Sequence, residues 1–156
     1  MRILVTGGLG FIGSNFIHYW MKRHSADEIV NLDKVTYAAD FSNLNGIKGG
    51  SKYSFVKGDI SNSTLVNKIA KEVDLIVNFA AETHVDNSIQ SQMPFLHSNV
   101  MGTYVLLEAA RKYDIRFHHI STDEVFGSLP RKSKNRFTEI KISAPHEEVA
   151  AYYVTK

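Results

Sequence analysis

Arg2-Ile3-Leu4-Val5-Thr6-Gly7-Gly8-Leu9-Gly10-Phe11-Ile12-Gly13 is an apolar run that breaks into glycines at positions 7, 10 and 13. It reads as a buried strand, a tight turn and the opening of a helix. Glycine carries no Cβ, so the backbone can turn sharply and a pyrophosphate can approach main-chain N–H groups at the positive end of the helix. Phe11, Ile12, Phe16, Ile17 and Trp20 supply the apolar stripe of that helix. A second apolar stretch, Ile29-Val30-Asn31-Leu32, ends in Asp33, about 20 residues past the last glycine, where an acid meets a ribose 2′-hydroxyl. That acid favours NAD over NADP.

Composition bounds the rest. The chain has 156 residues, 44% hydrophobic and 22% charged, as expected of one soluble globular domain. A formal net charge of +2, evenly scattered, gives no argument for a nucleic-acid partner. The basic stretch at 131–136 reads as a solvated loop or, less directly, as a contact for a substrate's phosphates. The absence of cysteine removes disulfides, thiolate metal sites and cysteine nucleophiles. The N-terminal apolar run is of strand length and is followed by glycines, so it reads as neither signal peptide nor membrane span. The cytoplasm is the location left by default.

Periodicity organises the chain as alternating strands and helices. After Asp33 the pattern lapses over 34–52, a long loop over the sheet edge. Tyr53-Ser54-Phe55-Val56 reads as a third strand leading to Gly58-Asp59-Ile60, and Ser61 or Asn62 can cap a helix carrying Leu65, Val66, Ile69 and Ala70. The run DLIVNFAA at 74–81 is almost unbroken and is the candidate for the sheet's centre. Pro94 then opens a long helix to near Tyr113, with Phe95, Val100, Val105, Leu106 and Ala109 at helical spacing. A fifth strand runs from Arg116 to Ile120. The expected fold is α/β, a doubly wound parallel sheet of the Rossmann-like kind.

In such sheets, ligands bind outside the carboxyl ends of the strands. The polar clusters at 7–13, Asp33, Asp59, 81–86 and 121–124 all fall there. Asp59 alone is as readily a turn or capping acid. Ser121-Thr122-Asp123-Glu124 offers a hydroxyl and two acids, one able to stay protonated as a general acid while the other acts as a base. Tyr152 and Lys156 stand four apart, so on a helix they share a face, where an ammonium favours the phenolate. His118 and His119, adjacent on a strand, point to opposite faces and read as packing or edge residues. His84 is better placed to line the crevice, but no metal set accompanies it.

Taken in order, these motifs resemble the extended short-chain dehydrogenase/reductase superfamily and, within it, the dTDP-glucose 4,6-dehydratases. The resemblance rests on TGGLGFIGSNF at 6–16, DKVTYA at 33–38, GDI at 58–60, NFAAETHVDNSI at 78–89 and HHISTDEVFG at 118–127. Asp123-Glu124 is what singles out dehydration, since related epimerases and decarboxylases usually lack the pair.

The resemblance implies an internal redox cycle on a nucleotide-linked hexose. Tyr152 would take the proton of the sugar's 4-hydroxyl, with Lys156 lowering its pKa and holding the ribose, and Thr122 would hydrogen-bond the 4-oxygen. Hydride would pass from C4 to NAD⁺; Glu124 would take the C5 proton, Asp123 would protonate the departing 6-hydroxyl, and the hydride would return to C6. By the same resemblance Gly7, Gly10, Phe11, Ile12 and Gly13 hold the pyrophosphate, Asp33, Lys34, Val35 and Thr36 the ribose, and Asp59 and Ile60 the adenine. Phe79, Ala80, Ala81 and Ser98 lie beside the nicotinamide half, and Thr83 lies near both cofactor and substrate. The partner is a nucleotide-sugar, and the family's habit implies a homodimer through the helix opened by Pro94. Departures are HEEVAA at 146–151 and Asn87 where arginine is common. Family members continue into a smaller domain that grips the nucleotide-sugar. The expectation is therefore a dinucleotide-binding portion, natural truncation or fragment, with a non-catalytic dinucleotide module and a 4-epimerase as the alternatives.

Overall fold

The computed structural model of the protein describes residues 1–47, 49, 51–122, 129 and 136. Asp123, Glu124, Tyr152, Lys156 and the basic stretch at 131–135 lie outside the described residues.

Five strands appear among the described residues: β1 (Arg2–Thr6), β2 (Glu28–Asp33), β3 (Tyr53–Lys57), β4 (Leu75–Asn78) and β5 (Arg116–His119). They form one parallel sheet in the order β3-β2-β1-β4-β5. The middle strand is thus β1, with Leu4 between Val30 and Ile76. The 74–81 run, expected at the centre, supplies the next strand over, between β1 and β5. An apolar run reports burial on both faces, which β1 and β4 share, and does not report which neighbour the crossovers deliver.

Helix α1 (Phe11–Arg23) covers one face, where Ile17 packs with Ile3, Val5, Ile29 and Val77. Helices α2 (Ser63–Ala70) and α5 (Thr103–Tyr113) cover the other, where Val66, Ala70, Leu106 and Ala109 pack on Leu4, Val30, Leu32 and Ile76. Alternation along β1 sends successive side chains into these two cores. Phe11 and Ile12 do not join the stripe of α1: they are 78% and 62% exposed. Asn62 is the cap of α2, its side-chain oxygen accepting the Leu65 N–H at 3.1 Å.

The stretch after β2 is more than a loop over an edge. It contains a 3₁₀ turn at Phe41–Leu44, buries Leu44 and returns to the glycine turn, where the Asn43 side chain and the Asp40 N–H both donate to the Leu9 carbonyl. The segment between β4 and Pro94 holds a short helix, α3 (Val85–Gln90). The helix beyond is not uniform: α4 (Met93–Phe95) passes into a π-helical stretch, Leu96–Gly102, before α5. In that wider turn Asn99, rather than Val100, faces inward, and Val100 is left exposed. Gly102 sits so close to the Ile60 side chain that a Cβ there would lie 2.5 Å from its Cδ1.

Leu106 is fully buried between α5 and the sheet. Leu106→Ala is expected to cost about 2–5 kcal/mol in urea unfolding, against about 1 kcal/mol for loss of the cap in Asn62→Ala. Equal costs would contradict the placement of α5 in the core.

Candidate active site

The glycine turn is held from below by β2. Gly8 N–H donates to the Asn31 side-chain oxygen at 3.1 Å, Leu9 N–H to Asp33 Oδ2 at 3.0 Å, and Gly7 N–H to the Leu32 carbonyl at 3.0 Å. Asn31 is itself braced by its amide N–H bond to the Tyr53 hydroxyl. Gly7 adopts φ +69°, and a Cβ there would press on the main chain of Phe79 and Ala80 at 2.7–2.9 Å, so both conformation and space require glycine. Gly10 caps α1 with no side-chain hydrogen bond, and the first turn carries no acid. The positive end of α1 is therefore open to an anion, and the turn brings main chain close enough to meet one.

One crevice runs along the carboxyl ends of β1 to β4, at the point where the strand order switches direction across β1. Gly7 and Gly10 form its floor, and Asp33, Lys34 and Thr36 one wall. Asp59 and Ile60 close the outer end, while Phe79, Ala80, Ala81 and Ser98 form the facing wall. Phe11, Ile12, Gly13, Val35 and Thr83 lie off this lining. Gly13 packs against the Gly7 carbonyl. Ile12 faces an open apolar stretch of sheet beside Phe16 and Phe117. Thr83 is exposed. Val35 stands in the left-handed region at φ 62°, uncommon for a β-branched residue, and its N–H is held by Asp33 Oδ1 at 2.8 Å.

Asp33 thus accepts two main-chain N–H groups while 8% exposed. Asp59 bonds Lys34 through Oδ2 at 2.7 Å and accepts both the N–H and the hydroxyl of Ser61 through Oδ1. It serves as a turn acid and a crevice wall at once. Burial pushes its carboxyl upward, but the bonds from Lys34 and Ser61 outweigh burial and hold it below the usual value. His97 approaches the same carboxylate at 3.8 Å.

Several groups at the rim escaped the sequence. The Tyr37 hydroxyl donates to Glu82 at 3.2 Å, joining the two walls across the mouth. Burial, then the Glu82 charge, push the Tyr37 phenol upward, which keeps it a donor at neutral pH. Asn99 grips the Glu82 main chain with both ends of its amide, at 2.8 and 2.9 Å. His84, expected to line the crevice, lies instead at its mouth, its ring tilted by 38° against Tyr37 with centroids 5.8 Å apart. Beneath the crevice a usable signal was present, a lone asparagine in each of β2 and β4, Asn31 and Asn78, since a buried amide needs a partner. His118 and His119, read as packing or edge residues, lie on β5, the outermost strand among the described residues, the first exposed and the second bonded to Asn78. Among the described residues no three histidine or acidic side chains gather as a metal would require, and no helix is long and apolar enough to cross a membrane. Thr122 is half-buried just beyond β5.

The dTDP-glucose 4,6-dehydratase of Mycobacterium tuberculosis is 46% identical over 156 residues, covering 100% of this chain and 46% of its own. A crystal structure of the Bacillus anthracis dTDP-glucose 4,6-dehydratase in complex with NAD superposes with a TM-score of 0.85 at 42% identity, over 99% of this chain and 48% of that one. The Thermus thermophilus UDP-glucose 4-epimerase complex with NAD superposes at 0.82 with 26% identity, over 99% of this chain and 48% of that one. The chain spans about half the length of the curated relatives it matches. The family model for GDP-mannose 4,6 dehydratase matches residues 4–156. With the glycine turn, the acid after β2 and the crevice at the strand switch in place, the chain belongs to the GDP-mannose 4,6-dehydratase family.

Proposed function

We propose that this chain is the dinucleotide-binding portion of an NAD-dependent dTDP-glucose 4,6-dehydratase. One observation carries the reading: the uncapped end of α1, the buried Asp33 and the Asp59–Lys34 pair line a single crevice whose inner wall, Phe79 to Ala81, directly follows β4, the strand next to the one leading to Thr122. The pyrophosphate fits the open helix end, the adenosine ribose fits Asp33, and the adenine fits the end walled by Asp59 and Ile60. Ser98 and the Phe79–Ala81 wall then flank the nicotinamide half.

Bound NAD supplies a hydride acceptor that gives the same hydride back within one turnover. In this reading Tyr152, with its pKa lowered by Lys156, removes the 4-hydroxyl proton while Thr122 orients the 4-oxygen. Glu124 takes the proton from C5, acidified by the neighbouring ketone, and Asp123 gives a proton to the departing 6-hydroxyl. Dehydration, rather than 4-epimerisation, is favoured by the Asp123-Glu124 pair and by the higher identity to the dehydratases. A cytoplasmic location accords with a substrate and cofactor that are both soluble nucleotides.

A homodimer is supported by Met93, Leu96, Val100, Tyr104 and Leu107, which stay 37–69% exposed along one side of the α4–α5 helix. They are spaced three or four apart, opposite the face that packs on the sheet. Tyr104→Glu with Leu107→Glu is expected to leave a monomer in sedimentation velocity, where the unaltered protein sediments as a dimer.

NADH fluorescence titration tests the cofactor assignment. Asp33→Ala should weaken binding about tenfold or more and cost about 2–4 kcal/mol of stability, because it strands the Leu9 and Val35 N–H groups. Product analysis with dTDP-glucose, on a chain extended to the length of its relatives, tests the reaction: Asp123→Asn with Glu124→Gln should abolish dehydration and leave NADH binding intact. A dehydration rate unchanged by both substitutions would sink the assignment.

The Asp59 contribution has a definite sign. Its folded pKa is depressed, so its stabilisation is present above about pH 4 and is lost as the pH falls through the lower folded value. Asp59→Asn should therefore flatten the acid limb of the stability–pH curve.

A further inference from the structure

A buried hydrogen-bond chain crosses the sheet beneath the crevice. The Ala80 N–H donates to the Thr6 hydroxyl at 3.4 Å, the Thr6 hydroxyl to Asn78 Oδ1 at 2.5 Å, and Asn78 Nδ2 to His119 Nδ1 at 3.1 Å. Thr6 is fully buried and Asn78 is 1% exposed. A main-chain N–H can only donate, so the Thr6 hydroxyl accepts it at one of its two lone pairs and keeps its proton for a second partner. The Asn78 amide is turned with its oxygen to Thr6, which receives that proton, and with its nitrogen to the imidazole. An NH₂ group has only donors, so His119 Nδ1 must present its lone pair and the neutral ring must carry its proton on Nε2.

Both ends of this chain lie at functional places. Thr6 immediately precedes Gly7, and Ala80 forms part of the crevice wall. At the other end, Asn78 pairs with His119 in the sheet register, and its carbonyl accepts the Ile120 N–H at 3.1 Å. Asn78 therefore holds the exit of β5 by main chain and side chain together, two residues before Thr122.

We infer that Asn78 and His119 are positioning residues that set the Ser121–Thr122 segment against the dinucleotide crevice, with His119 held as its Nε2–H tautomer. The inference rests on the reading of that crevice as the NAD site and of Thr122 as the hydroxyl that meets the sugar. It adds a mechanical link between the two. Coupling of this kind is reciprocal, so a change at His119 must be felt by the dinucleotide. An apolar residue at 119 would leave the buried Asn78 amide without its acceptor, and relief of that strain would move Asn78, Thr6 and the glycine turn together.

Two measurements test this. In protein labelled with ¹⁵N-histidine, multiple-bond proton–nitrogen correlation at neutral pH should show His119 with Nδ1 unprotonated and Nε2 protonated, and Asn78→Leu should erase that bias. In NADH titrations, His119→Phe should weaken binding about fivefold and shift the Ser121 and Thr122 amide resonances, while His119→Asn, whose side-chain oxygen can replace Nδ1 as acceptor, should return binding to within about twofold of the unaltered protein. A protonated Nδ1 at His119, NADH binding unchanged by His119→Phe, or failure of His119→Asn to restore it would each overturn the inference. If the unaltered protein bound no NADH, the cofactor assignment would fall while the tautomer measurement still decided the hydrogen-bond chain. The tautomer is read on the unaltered protein, so it decides even where a variant fails to fold.

Discussion

Two side chains at the end of β2, Asn31 and Asp33, hold the glycine turn by its own N–H groups, and the geometry of the crevice depends on that hold. Glycines lose more conformational freedom on folding than any other residue, so a turn containing Gly7, Gly8 and Gly10 has little stiffness of its own. The Gly8 and Leu9 N–H groups find acceptors only on the neighbouring strand. Both acceptors are buried, where an unmade bond is costly and a made one is hard to exchange for water. The turn is flexible enough to approach a phosphate and is nevertheless fixed, because stiffness is imported from β2. The cost falls on Val35, which takes a left-handed backbone so that Asp33 can reach both it and Leu9.

The same economy governs charge. α2 begins with a capping side chain, Asn62, and so has one of its first N–H groups satisfied internally. α1 begins with Gly10 and no cap, leaving its positive end directed at the crevice. The acids of the crevice are committed to local partners rather than left facing an incoming phosphate: Asp33 to two N–H groups, Asp59 to Lys34 and Ser61. An anion meets the helix end without a naked carboxylate against it, while each acid retains lone pairs for hydroxyl or amino donors.

Legibility in the sequence followed physical locality. The strands were readable because parallel strands covered on both faces are apolar throughout, as at Ile3-Leu4-Val5 and Leu75-Ile76-Val77. The cap of α2 and the stripe Leu65, Val66, Ile69, Ala70 were readable because each depends on a few neighbouring residues. Strand order was not: the longer apolar run became β4, and the shorter one became the middle of the described sheet. Phe11 and Ile12 fit a helical period yet stand exposed, because a period says which residues share a face and not where the sheet beneath that face ends. The π-helical turn, which replaces Val100 by Asn99 on the inner face, is set by the grip of Asn99 on the Glu82 main chain, a contact 17 residues away in sequence.

The sequence by itself determined the parallel α/β class, the phosphate-binding turn, the acid after the second strand and the family, since each is written in spacings of a few residues or in contiguous motifs. Only the tertiary structure decided that those residues line one crevice, that Tyr37 and Glu82 span its mouth, and that Thr6, Asn78 and His119 form one hydrogen-bonded path. Those partners lie 41 to 72 residues apart, and their meeting depends on which strands pair and in what register. Register is a property of the whole sheet, so a side chain that closes a hydrogen bond across it cannot be read from its own neighbourhood.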